Sequence, residues 1–155
     1  MRLTTKSRYG TRAIFDIAYN SAGVPVQIKD ISKRQEIPPR YLEQIFHKLK
    51  GTKIINSVRG PGGGYVLARD PSKITVGDII RAMRETIDPV FCVDEGSENN
   101  KDCNRSEQCV TKQIWKEAGE KITEFFDSIT ISDLCERARN MGVKKDMKHP
   151  FDYSI

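Results

Sequence analysis

The sequence predicts a mainly α-helical chain with one small β-hairpin, a winged helix-turn-helix followed by a long dimerisation helix. Three observations carry that prediction. Two short amphipathic segments meet at Ile37-Pro38-Pro39, a basic glycine-rich stretch from Ser57 to Tyr65 joins two runs of β-forming residues, and apolar residues recur at helical spacing from Val110 to Ile129. With 155 residues and 37% hydrophobic side chains the chain can build a core. No apolar run reaches the length of a membrane span, and Arg2, Lys6, Arg8 and Arg12 break up the N-terminus where a signal peptide needs an apolar stretch. A cytoplasmic protein without a membrane partner is expected.

The first helix is expected from Thr5 to about Ala22, because Tyr9, Ala13, Ile14, Ile17 and Ala18 fall on one face and Ala22-Gly23 and Pro25 end the pattern. Ile28 to Arg34 reads as a short second helix with Ile28 and Ile31 inward. Ile37 precedes a proline and is biased away from helical dihedrals, whereas Pro39 suits the first turn of a third helix running to about Lys50. Its apolar stripe is Leu42, Ile45, Phe46 and Leu49, which leaves Arg40, Tyr41, Glu43, Gln44, His47 and Lys48 on other faces. Two short helices joined by a tight turn, the second offering polar and basic side chains, describe a helix-turn-helix.

Lys53–Val58 and Tyr65–Ala68 are then the strands of a hairpin, the wing. The glycines between them, Gly60 and Gly62 among them, provide positive φ values and close backbone approach to a phosphate. Arg59 at the tip carries a planar fork that can grip a phosphate or enter a minor groove. A nucleotide-binding loop also uses glycines, but no Lys-Ser or Lys-Thr pair follows to hold phosphates and Mg²⁺. The charge distribution agrees with a nucleic-acid partner. Residues 1–90 hold 16 Lys and Arg against 8 Asp and Glu, whereas residues 91–155 hold 10 against 13. A basic N-terminal half is the footprint of a domain lying on a phosphate backbone.

Cys92, Cys103 and Cys109 lie in one polar loop whose filler, Asp94 to Asp102, is too hydrophilic to bury all three thiols. In a reducing compartment such a cluster binds metal or senses redox state rather than forming structural disulfides. Three thiolates suit Zn²⁺ and iron–sulfur clusters alike, and the spacing alone does not choose between them. There is no CxxC pair, which argues against a thiol–disulfide enzyme. Cys135, beside Leu134 on a helix, reads as an ordinary core residue, and His47 and His149 read most simply as a surface-helix and a tail residue. From Val110 to Ile129 the stripe of Ile114, Trp115, Ala118, Ile122, Phe125, Phe126 and Ile129 is longer than a small wing domain needs for its own core, so Ile114, Ile122, Phe125 and Ile129 are expected to bury against a second copy. Thr130, Ser132 and Asp133 can cap a last helix to about Asn140, and the tail from Lys144 to Ile155, without periodicity, is expected to be disordered or exchanged.

Met1-Arg2-Leu3-Thr4, Lys6, Arg8-Tyr9, Asp30-Ile31-Ser32, Tyr41-Leu42-Glu43-Gln44 and Ser57-Val58-Arg59-Gly60-Pro61-Gly62-Gly63-Gly64-Tyr65 resemble the Rrf-type transcription factors, and within them the iron–sulfur cluster regulators. The resemblance runs from Met1 to about Leu134. It implies a non-enzymatic winged-helix homodimer that binds double-stranded operator DNA and ligates a 2Fe-2S cluster through three cysteines and a histidine, with a cluster-assembly scaffold as a cluster donor. Carried over by position, the cysteine ligands are Cys92, Cys103 and Cys109. Glu43 is a base-discriminating residue of the recognition helix and Arg59 the wing contact, and Arg2, Arg40, Tyr41, Gln44, Gly60 and Gly62 complete the expected DNA face.

Two departures stand out. The gap from Cys92 to Cys103 is longer than relatives show, although closure entropy grows only slowly with loop length. The histidine ligand would fall three residues after Cys109, where this chain has Lys112, and an ammonium has no lone pair to offer. The fourth ligand is therefore open between Glu107, His47, His149, Cys135 and a residue of the partner chain. Arg8 stands where nitric oxide sensors of the family carry an acidic ligand. The expected organisation is a winged helix-turn-helix over 1–90, a cluster-binding loop over 91–109, a dimerisation helix and a last short helix over 110–140, and a tail over 141–155. The expected function is a regulator whose operator affinity follows cluster state, repressing cluster-assembly genes. The alternatives are a zinc-stabilised regulator, a nitric oxide sensor, and a sulfur-metabolism regulator acting through a protein partner.

Overall fold

The computed structural model describes residues 3–93 and 108–146. Among these, the elements run α1 (Thr5–Asn20), α2 (Ile28–Gln35), α3 (Pro39–Gly51), β1 (Ile55–Val58), β2 (Gly64–Leu67), α4 (Val76–Ala82), α5 (Val110–Ser128) and α6 (Ile131–Asn140), with single 3₁₀ turns at Pro71–Lys73 and Phe91–Val93. The two strands pair antiparallel with Ile55 opposite Leu67 and Val58 opposite Gly64. This is the mainly helical fold with one hairpin that the sequence predicts.

Thr4 starts α1 by accepting a hydrogen bond from the Lys6 N–H. The helix stops at Asn20, short of the expected Ala22, because Ala22 (φ 46°) and Gly23 (φ 85°) both enter the left-handed region. Helix α2 ends the same way at Glu36 (φ 53°), and Pro39 opens α3 within its first turn. Ala13, Ile14 and Ile17 of α1, Ile31 of α2, and Leu42, Ile45, Phe46 and Leu49 of α3 form one core with Ile54, Ile55, Ile74 and Ile79.

One charge lies inside this core. Asp16 is 0% exposed, and it accepts from Arg34 Nη2 at 2.6 Å, Arg34 Nε at 3.0 Å and Gln35 Nε2 at 2.9 Å, so α1 and the end of α2 are joined by a multidentate ion pair. The bond to Asp16 holds the Arg34 guanidinium above its already high usual value. A second tie closes the N-terminus of α1, where Glu85 accepts from the Thr4 and Ser7 hydroxyls and from the Thr4 N–H.

Helix α6 folds back onto α1, and its Ile131, Cys135 and Ala138 belong to the same core. The joint between α5 and α6 is fastened to the start of α4. The Val76 N–H donates to Ile129 C=O and the Ile131 N–H to Ile74 C=O, both at 2.9 Å, and Thr75 with Asp78 and Thr130 with Asp133 form a capping box on each side. Arg81 bridges Asp78 at 2.9 Å and Asp127 at 2.8 Å, and Gly77 leaves room for the Asp127 carboxylate, which a Cβ there would push aside. Ile129 thus leaves the helix and caps it in extended conformation instead of continuing the α5 stripe.

The expectation of an unattached tail is corrected as far as Asp146. Tyr19 Oη donates to Val143 C=O at 2.7 Å and the Asp146 N–H to Asn20 Oδ1 at 2.9 Å, which lays this stretch along the end of α1. His149 and the rest of the tail lie outside the described residues.

Candidate functional site

Arg40, Glu43, Gln44 and His47 are all exposed and spaced three and four apart, so they form one row along α3 opposite its buried stripe. Tyr41 differs from the others. It is half-buried, meets the Tyr9 ring edge-on with centroids 5.6 Å apart, and burial, then Glu85, push its phenol up. Arg12 lies over the Tyr9 ring, 5.5 Å from its centroid, and its guanidinium bonds the Gln35 backbone carbonyl and side chain. This stack sets how α3 leaves the turn. Lys48 is likewise anchored, with Nζ 3.2 Å from Met83 C=O.

The wing stands beside the row. Lys50 at the end of α3 reaches Ser57 Oγ on β1 at 2.7 Å, and the backbone of β2 is held from behind by a bridge in which Val26 and Tyr65 exchange N–H···O bonds of 2.9 and 2.8 Å. Gly64 makes this approach possible, since a Cβ would lie 2.5 Å from Val26 O. Arg59 and Gly60 (φ 107°) are exposed at the hairpin tip. A Cβ at Gly60 or Gly62 would meet nothing within 4 Å, which leaves the backbone there open to an approaching phosphate, whereas Gly63 and Gly64 are crowded by the chain's own backbone. Arg2 lies outside the described residues. Sequence reasoning missed the Lys50–Ser57 link and the Arg12–Tyr9–Tyr41 stack; an isolated lysine or arginine in a basic segment carries no mark of its partner.

Of the expected metal ligands, Cys103 and Glu107 lie outside the described residues. Cys92 sits in the Phe91–Val93 turn, which packs on α5, and Cys109 is the residue that starts α5; both are free, half-buried thiols. The Asp88-Pro89 segment leading to Cys92 is seated on α5 at Gly119, where a Cβ would stand 3.2 Å from both Asp88 Oδ1 and Pro89 Cδ. The thiol of Cys109 lies 3.3 Å from Thr111 Oγ1, and this hydroxyl, then the Lys112 backbone N–H, hold it below the usual thiol range. Both are soft donors of the kind a thiophilic metal or an iron–sulfur group takes, and among the described residues no three His, Cys, Asp or Glu side chains stand together as a metal site. Cys135 does not join them, being a core residue whose thiol burial pushes up, and His47 belongs to the exposed row of α3.

Residues 3–137 match the family model Rrf2, described as an iron-dependent transcriptional regulator. The chain belongs to the Rrf2 family. It is 39% identical over 152 residues to the HTH-type transcriptional regulator IscR of Citrobacter koseri, covering 98% of this chain and 90% of that protein. To the IscR of Klebsiella pneumoniae it is 42% identical over 143 residues, 92% of this chain and 85% of that one. Among solved structures it is similar to T. potens IscR (TM-score 0.73, 34% identity, 94% and 93% covered) and to CymR, the global cysteine regulator of B. subtilis (TM-score 0.71, 32% identity, 88% and 98% covered). This Rrf2 chain is therefore a winged-helix transcriptional regulator, not an enzyme. No helix among its described residues is long and apolar enough to cross a membrane.

Proposed function

We propose that this Rrf2 protein is a homodimeric, iron–sulfur-responsive regulator that reads double-stranded operator DNA with α3 and the wing and represses cluster-assembly genes. The observation that supports it best is that α5 begins at one expected ligand, Cys109, packs on the turn carrying another, Cys92, and is fastened at its far end to α4, which belongs to the body that carries α3. A 2Fe-2S group would supply four thiophilic ligand positions tying these segments together. Cys92, Cys103 and Cys109 would hold three of them, with a cluster-assembly scaffold as donor; Glu107 or a residue of the partner chain is the candidate for the fourth. By holding the Cys92 turn against the start of α5, the cysteines bias the tilt of α5 and so the spacing of two recognition helices in the dimer. Coupling of this kind is reciprocal, so operator DNA shifts cluster affinity by the same factor.

Prepared without oxygen, the protein is expected to be coloured and to contain iron and acid-labile sulfide. Cys92→Ala, Cys103→Ala and Cys109→Ala should each abolish both, while Cys135→Ala leaves them intact. Lys112→Ala should lose little, and Lys112→His, by offering an imidazole, should slow cluster loss. A colourless protein holding only zinc after reconstitution, or equal operator affinity with and without iron and sulfide, sinks the proposal.

On the DNA side, Arg59→Ala should weaken operator binding by about 1–3 kcal/mol, and Glu43→Ala should chiefly relax discrimination between sites, because a carboxylate that accepts from cytosine at the matched site repels a misplaced phosphate at others. Fluorescence anisotropy against matched and mismatched duplexes across a salt series separates the two effects. Parent-like behaviour of both variants would remove α3 and the wing from the interface.

A further inference from the structure

We propose that Thr111 is a positioning residue that sets the reduction potential of the bound iron–sulfur group by donating an O–H···S hydrogen bond to Cys109. The inference rests on the proposed cluster site and concerns what surrounds one of its sulfurs. The Thr111 hydroxyl lies 3.3 Å from Cys109 Sγ, two residues on in the first turn of α5. Between a thiol and a hydroxyl either group can donate. Once the sulfur has given up its proton to hold iron, only the hydroxyl can, so the contact acquires a fixed direction.

That direction has an electrostatic consequence. Uptake of one electron from an external donor such as dithionite adds one negative charge to the cluster and its thiolates. A donor aimed at one of those sulfurs stabilises the reduced form more than the oxidised one and raises the potential. No proton leaves Thr111 in this process. The side chain is exposed, so replacing it removes the donor without opening a cavity. Valine keeps the branched shape and lacks the hydroxyl, whereas serine keeps the hydroxyl and lacks the methyl.

The test is an optical redox titration of anaerobically reconstituted wild type, Thr111→Val and Thr111→Ser, with resonance Raman spectra of the Fe–S(Cys) stretches in H₂O and D₂O. The valine variant should titrate at a more negative potential and lose part of the deuterium shift, and the serine variant should match wild type in both. Iron and sulfide content and far-ultraviolet circular dichroism should be equal in all three. Loaded proteins with the same potential and the same isotope shift overturn the role of Thr111 and leave the cluster assignment standing. A serine variant that follows valine assigns the effect to shape and also overturns it. A wild-type protein that takes up no iron and sulfide overturns both.

Discussion

Asp16→Ala should destabilise the protein by about 3–5 kcal/mol, a fall in thermal midpoint of roughly 10 °C for a chain of this size. The carboxylate is 0% exposed and receives Arg34 and Gln35 together, so its removal leaves a guanidinium whose side chain is only 13% exposed with the outlying, 71% exposed Asp146 at 3.8 Å as its remaining ion pair. A desolvated charge that loses its buried partner costs more than the loss of the pair's own attraction, and a long, solvent-screened pair offsets little of that. The comparison is Glu124→Ala, which breaks the Lys121–Glu124 pair on the outer side of α5, at 2.8 Å but with side chains 77% and 65% exposed. That variant should stay within about 1 kcal/mol of the parent, because water screens the pair and the two flexible side chains lose entropy in forming it. Urea denaturation of both variants with unchanged slope is the measurement; equal midpoints for Asp16→Ala and the parent would show that α1 and α2 are not locked through this pair.

Phe125→Glu, or Ile122→Glu, should convert the protein from dimer to monomer and lower affinity for a two-half-site operator by at least a hundredfold, since each half-site then has to be bound separately. Along α5 the described residues include only one buried position, Gly119, while Val110 is 84%, Ile114 59% and Phe125 58% exposed within a single chain. Such a run of apolar surface is the mark of an interface. A carboxylate in its middle would have to be desolvated twice, once per protomer. Light scattering at micromolar concentration decides the matter: a monomeric mass for the unaltered protein would falsify the dimer proposal.

The helices of the DNA-reading half were legible because their apolar residues repeat at 3.6 and their ends carry Pro39 and Gly23, so local chemistry and burial agree. The wing was legible from its glycines, although the sequence could not say which of them is crowded. Gly64 is pressed against Val26, a contact between distant segments that leaves no local pattern. The Asp16–Arg34 pair was hidden for the same reason, because an aspartate inside an amphipathic helix looks solvated until the partner helix brings its arginine. At the cysteines the sequence supplied residue types, and the structure adds that Cys109 opens a helix and that Thr111 touches it. The fourth ligand was not legible because Lys112 breaks the local spacing and the remaining candidates range from the nearby Glu107 to residues elsewhere in the chain or in another copy.

The apolar ridge of α5 also governs how regulation responds to protein abundance. If only a second copy covers Ile114 and Phe125, the DNA-competent species forms by mass action, and below the dimer dissociation constant its concentration follows the square of the protomer concentration. Halving the amount of protein then lowers the dimer about fourfold. A gene controlled by this protein would switch more steeply with dosage than one controlled by a monomer, and a repressor of its own promoter would inherit that steepness as tighter feedback.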